Sequence, residues 1–239
     1  MSNTATAAAP LYQQVYDAVF AQIVSGELGP GVMLPSEMDL AAFHKVSQGT
    51  ARKALMELEQ SGVVERKQGR GTFVAATTPE TALYHFFRLR RRDGTQAIPE
   101  ERPANVVVRN ATRTEASALM LTGKKVIDIR RTRSVDGEVA CHEICILDAN
   151  TFVGLKDRDP LTSALYPIYQ RLYGVHINRA DEKIKAIAAK GEIAAALEIE
   201  EDTPILMVER IALGIDGKPV EFRLSYFKSD KFHYSVALK

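Results

Sequence analysis

The chain has 239 residues, 46% of them hydrophobic, enough for one large domain or two modest ones. Lys plus Arg number 31 and Asp plus Glu 30, a formal net charge of +1, so a globally basic nucleic-acid binder is excluded and any such surface must be local. No apolar run reaches the length of a membrane span, and the start "MSNTATAAAP" lacks the basic first residues and apolar centre of a secretory signal, which predicts a cytoplasmic protein with no membrane partner.

Helical period begins after Pro10. Leu11, Val15, Val19 and Ile23 recur every fourth residue, flanked by Tyr12, Tyr16 and Phe20, and Gly26, Gly29, Pro30 and Gly31 then break the pattern. Ser36 is placed to cap a short second helix, with Glu37 and Asp39 in its first turn and Leu40 and Phe43 expected to face inward. His44-Lys45-Val46 forms a tight link to Ser47, the expected cap of a third helix that buries Ala51, Ala54, Leu55 and Leu58. Gly62 ends that helix. Val63-Val64 and Thr72-Phe73-Val74 then read as strands joined through Gly69-Arg70-Gly71. A helix-turn-helix followed by a hairpin is a winged helix, here spanning residues 10–75.

The front of the third helix carries small polar and cationic groups: Ser47, Gln48, Gly49, Thr50, Arg52 and Lys53. Such a helix start admits close approach to a duplex. Gln48 suits the adenine edge, and Arg52 suits guanine or phosphate. On the wing, Arg66, Lys67 and Arg70 supply charge, while Gly71 and Thr72 leave the backbone open. Ser36, at the head of the second helix, is counted with this DNA-facing set. Taken singly, each residue also reads as ordinary solvated surface; the ordered combination points to double-stranded DNA. Residues 10–75 carry six cations against seven anions, so charge is segregated, and all cations but Lys45 lie between the third helix and the wing.

The stretch "LPSEMDLAAFHKVSQGTARKALMELEQSGVVERKQGRGTFV" resembles the N-terminal winged helix of the GntR family of bacterial transcription regulators. The resemblance lies in Leu-Pro-Ser-Glu, then Leu-Ala, Val-Ser, Arg, Ala-Leu, Leu, Gly and Gly-x-Gly-Thr-Phe-Val. It implies a homodimer on a near-palindromic operator. Met38 and Gln48 stand where many members carry DNA-contacting arginines, which implies a different base preference. Lys45 replaces the glycine common in the inter-helix turn.

Residues 76–83 are small and polar and read as a linker. Arg88, Arg90, Arg91 and Arg92 follow, read either as a DNA or anion contact or as a solvated strand edge. Cys141 and Cys145, four apart on one expected strand, read as reduced core thiols. Two β-rich stretches turn at Asp136-Gly137 and Asp216-Gly217, with the helical runs "TEASALML", "TSALYPIYQRLYG" and "KGEIAAALEI" around them. That pattern predicts an antiparallel α+β domain over 84–239. Arg131 and Arg133, two apart, would share one sheet face, where their forks suit carboxylate or phosphate; pairing with Glu143 on a plain surface strand is the alternative.

The markers "IRRTRSVDGEVACHE", "LYPIYQRLYGVHINRADEKIKA" and "GIDGKPVEF" after "ERIA" resemble the UTRA effector-binding domain of the HutC subfamily, similar in fold to chorismate lyase. The resemblance implies an effector site of Arg131, Arg133, Glu143, Tyr166 and Glu221. Ser163 and Tyr226 join it as neighbours of Ala164 and Phe227, which stand where sugar-phosphate binders carry a serine and a tyrosine. A small anionic metabolite is the expected effector, sugar phosphate or carboxylate, and no cofactor or metal is expected. Two alternatives stay open: a lyase-like enzyme tethered to DNA, and a winged helix used only for protein contacts. Against the first, His44, His85, His142, His176 and His233 are scattered without metal-ligand spacing, and no nucleophile motif is present.

Overall fold

The computed structural model describes residues 9–76, 87–100, 102–158, 161 and 164–236, and the chain divides into two units, residues 1–76 and 77–239. The linker expected at 76–83 lies, apart from Ala76, outside the described residues.

In the first unit, α1 (Leu11–Val24) buries Val15, Val19 and Ile23, one residue per turn, against α3 (Gln48–Gln60). From α3 come Ala51, Ala54, Leu55 and Leu58, all buried. Between them, α2 (Glu37–His44) starts in a capping box: the Ser36 hydroxyl accepts from the Asp39 N–H, and the Asp39 carboxylate accepts from the Ser36 N–H. Ser47 Oγ accepts from the Thr50 N–H at 3.1 Å and caps α3. Leu40 and Ala41 form the buried stripe of α2, but Phe43 is 78% exposed. The inward expectation for Phe43 was wrong, because it sits about 110° around the helix from the centre of that stripe.

The link from α2 to α3 explains how two helices join over so few residues. Lys45 has φ +54°, its N–H bonds to the Ala42 carbonyl, and the Val46 N–H reaches the Ala41 carbonyl. This pair of bonds closes the helix in a Schellman motif, whose left-handed position glycine fills without strain. Lys45→Gly is therefore expected to stabilise this unit by about 0.5–1 kcal/mol, read as a rise in its urea midpoint at unchanged slope.

The wing pairs β1 (Val64–Lys67) with β2 (Gly71–Val74), Arg66 lying opposite Thr72. Gly71 has φ +116°, and a Cβ there would meet Met33 Sδ at 3.4 Å, so the turn needs glycine. Residues 32–34 run beside β2, with Leu34 N–H to the Thr72 carbonyl at 2.8 Å and Val74 N–H to the Val32 carbonyl at 2.9 Å. The sequence offered this segment only as the end of a glycine-rich break.

The second unit is built on a six-stranded antiparallel sheet in the order β4-β5-β6-β9-β8-β7. Its strands are β4 (Asn105–Asn110), β5 (Lys125–Val135), β6 (Glu138–Asp148), β7 (Ile177–Ala188), β8 (Pro204–Gly214) and β9 (Pro219–Lys228). A separate ribbon pairs β3 (Leu89–Arg91) with β10 (Phe232–Tyr234). The β5–β6 turn has Asp136 and Gly137 at φ +55° and +79°, the twist-matched hairpin geometry that Asp-Gly favours. Arg91 grips Asp136 through two bonds of 2.7 and 2.8 Å, and Arg92 donates to the Asp230 carbonyl. Arg91 is thus taken up by Asp136, while Arg92 stays exposed.

One face of the sheet packs against α5 (Leu165–Tyr173). Ile127, Ile129, Cys145 and Leu147 meet Leu165, Tyr166 and Tyr169 there. The other face is covered by α4 (Arg113–Ala118), whose flanking Leu119 joins Val126, Ile146 and Phe222, and by α6 (Gly191–Leu197), whose Ala194 and Leu197 join Val139 and Ile205. Cys141 and Cys145 are buried free thiols, as read from their spacing. Burial pushes the Cys145 thiol up to about 12, and Cys141 is raised as well. No helix among the described residues is long and apolar enough to cross a membrane.

Candidate nucleic-acid interface and effector site

On the first unit the side chains expected to face DNA divide into groups. Gln48, Arg52 and Arg66 converge on one carboxylate, that of Glu37. Ser47 and Thr50 are engaged in the cap, their hydroxyls 2.8 Å apart, and the Ser36 hydroxyl donates to Asp39 at 2.6 Å. Gly49 is exposed at the open front of α3. Lys53 turns toward α1, with its Nζ 3.7 Å over the Tyr12 ring. Lys67 lies on the other wing face from Arg66, paired with Glu65 at 2.7 Å and 5.0 Å over Phe73. Thr72 faces Arg66 across the hairpin, and Arg70 stands exposed at the tip, with no ion-pair partner among the described residues. Gln48, Arg52 and Arg70 are thus all at the surface.

In the second unit, strand register builds a buried charge cluster on the α5 face. Arg131 pairs across β5 and β6 with Glu143, which pairs across to Ser225 on β9. One rung along, Cys145 lies beside Arg223, and Arg223 beside Arg210 on β8. Glu143 Oε2 accepts from Arg131 Nε at 2.7 Å and lies 3.2 Å from Arg133 Nε. Its other oxygen accepts from Arg223 Nη1 at 3.1 Å. Arg223 also forks onto Glu221, with both bonds at 2.8 Å. The Glu221 oxygens accept in addition from the Tyr166 hydroxyl at 3.1 Å and the Tyr169 hydroxyl at 2.7 Å. At the far side Arg210 Nε donates to Glu182 at 2.6 Å, and Glu182 accepts from the Tyr234 hydroxyl at 2.6 Å.

With Arg88 4.0 Å from Glu182, five arginines thus face three glutamates among the described residues, two positive charges in excess, and Glu143 and Glu221 are buried. Burial by itself would raise the Glu143 carboxyl, but Arg133, Arg131 and Arg223 together hold it well below the carboxylate range. Glu221 is lowered likewise against its burial, chiefly by Arg223. Tyr166 and Tyr169 are raised, first by burial and then by Glu221, so both phenols stay protonated and donate. Arg133 differs from its neighbours: burial, then the adjacent Arg131 charge, pushes it down to about 10, and its guanidinium carbon sits 5.0 Å from the Phe87 ring centroid. The arrangement can take up an anion by charge-assisted hydrogen bonding.

The family model described as bacterial regulatory proteins, gntR family, matches residues 11–74, and that of the UTRA domain matches residues 99–233. The chain belongs to the GntR family. It is a transcription regulator with a UTRA effector domain, in keeping with the HutC subfamily, and its relatives are regulators rather than enzymes. The GntR relatives include the transcriptional repressor NagR of Bacillus subtilis (strain 168), 26% identical over 231 residues, 94% of this chain and 93% of NagR. The transcriptional regulator SmoD of Agrobacterium fabrum is 30% identical over 175 residues, 73% of each chain. The ligand-binding domain of a GntR-family regulator from Bordetella bronchiseptica superposes with a TM-score of 0.61 at 31% identity, covering 65% of this chain and 99% of that domain.

Within this GntR protein, the structure gathers Arg131, Arg133, Glu143, Tyr166 and Glu221 in one cluster. Ser163 lies outside the described residues. Tyr226 is a correction. It pairs with His142 and Met207, so it points to the opposite sheet face and packs with the α6 cluster, whereas Phe227 points to the α5 face. Arg223, Arg210, Tyr169 and Glu182 were missed. Arg223 was within reach, because it stands two residues after Glu221, the spacing that flagged Arg131 and Arg133. Arg210 and Glu182 needed the β7–β8 pairing, and Glu37 needed the packing of α2 against α3 and the wing.

Proposed function

We propose that this GntR regulator is a repressor that binds a near-palindromic operator as a homodimer and is released by a small anionic metabolite held in the buried cluster. The observation that carries the effector class is the excess of arginine over glutamate within that cluster. NagR is a repressor by name, which supports the sign of regulation. A dimer doubles the phosphate contacts of a unit that is not basic overall, and operator affinity then falls steeply with salt. The ligand must bind the DNA-incompetent arrangement better than the competent one, or it shifts nothing. Ala164, the N-cap of α5, carries no hydroxyl of its own for a phosphate, and carboxylates stand beside sugar phosphates as candidates.

Thermal-shift screening of the full chain against hexose phosphates, inorganic phosphate and di- and tricarboxylates tests this. A true effector at a hundred times its Kd stabilises by about 2.7 kcal/mol, raising the melting temperature, and should also dissolve a gel-shift complex. If anions leave both melting and DNA release unchanged while neutral metabolites act, the anionic assignment is wrong.

A further inference from the structure

The DNA-facing surface holds an anion where a duplex brings its own. Glu37 opens α2, its side chain is 20% exposed, and a carboxylate there repels phosphate. Its geometry accounts for its presence. Glu37 Oε2 accepts from Arg52 Nε at 2.9 Å and from Gln48 Nε2 at 3.5 Å, while Oε1 accepts from Arg66 Nη2 at 3.3 Å. These partners come from the front of α3 and from the wing, so one carboxylate ties three elements at a single point.

The atom that Arg52 uses is decisive. Its bond to Glu37 runs through Nε, and among the described residues its two terminal nitrogens make no bond. Those two nitrogens are the pair that forks onto O6 and N7 of guanine. An arginine anchored at Nε loses most of its rotamer freedom before DNA arrives, and its fork is aimed rather than sampled. Gln48, one turn earlier, is drawn to the same carboxylate.

We infer that Glu37 is a positioning residue for base recognition, which holds Arg52 for a bidentate contact with one guanine in each half-site and brings Gln48 and the wing's Arg66 into register beside it. It lowers non-specific phosphate affinity and raises discrimination.

The test is selection from a randomised duplex library by the full chain at fixed salt. Wild type should enrich a motif with one strongly preferred guanine per half-site. Glu37→Gln should bind bulk duplex as tightly or more tightly, yet lose preference at that guanine by roughly tenfold. Arg52→Lys should lose the same position, and the double variant should lose little more than either alone. Glu37→Asp, which keeps the charge with a shorter reach, should fall between and serves as the reading if Glu37→Gln melts early. A wild-type motif kept at full strength in Glu37→Gln overturns the inference. So does loss of a cytosine at a different position from the one lost in Arg52→Lys, since Glu37 would then be reading a base itself. If wild type enriches no sequence at all, sequence-specific regulation fails along with it.

Discussion

Glu143→Ala will destabilise the effector unit by about 3–5 kcal/mol, the range for a buried charge cluster stripped of its counter-ion. The carboxylate is buried and is the shared partner of Arg131, Arg133 and Arg223. Removing it leaves three guanidiniums crowded on one sheet face with no anion between them except Glu221, which Arg223 already occupies. Urea unfolding followed by circular dichroism should show the loss as a lower midpoint for this unit with little change in slope. A loss below about 1 kcal/mol would show that water enters and screens the cluster. The same carboxylate gives the unit an acid limit. Its folded pKa is depressed, so its stabilising contribution is complete above the unfolded value of about 4.3 and drains away as pH falls through the depressed folded value. Glu221 acts in the same direction.

Arg133→Met should do the opposite: leave the fold intact and remove the response. Arg133 is the cation the fold accommodates least well, pushed down to about 10 by burial and then by Arg131. Without it Glu143 still has Arg131 and Arg223, so no buried charge is orphaned, and stability should stay within about 1 kcal/mol of wild type or rise. An effector anion would lose a charge-assisted hydrogen bond of about 1.5–3 kcal/mol, roughly ten- to a hundredfold in affinity. Ligand titration by calorimetry, beside a melting curve, separates the two quantities. Retained affinity with a lowered melting temperature would make Arg133 a structural residue and move the anion seat elsewhere.

Local chemistry carried much of what the sequence revealed. Ser36, Ser47, Gly62 and Gly71 act through short-range bonds and backbone angles, so their roles follow from their neighbours. The Asp-Gly turns fixed the two hairpins for the same reason. Phe43 was misplaced because a two-turn helix has too narrow a buried stripe for its spacing to settle the flanks. The edge strands β4 and β7 escaped notice. Among the described residues their outer sides lie against no further strand, and the many charged residues of "INRADEKIKAIA" leave no apolar face to mark it as a strand. The buried charge cluster was half legible. Parity along one strand put Arg131 and Arg133 on one face, while Tyr226 was included only as the neighbour of Phe227, and adjacent strand residues point to opposite faces. Arg210 and Glu182 depend on which strands become neighbours, a property of the whole sheet that no local window contains.

The buried cluster contains no histidine among its described members. The Glu143 and Glu221 carboxyls are held below their ordinary range, the Tyr166 and Tyr169 phenols are raised above theirs, and the Arg133 guanidinium is pushed down only to about 10. These groups therefore keep the same charges on either side of neutral pH. An anion seated among these groups would meet a charge pattern that does not titrate near neutrality, so a diprotic effector such as a phosphate ester would print its own titration curve onto binding at this cluster.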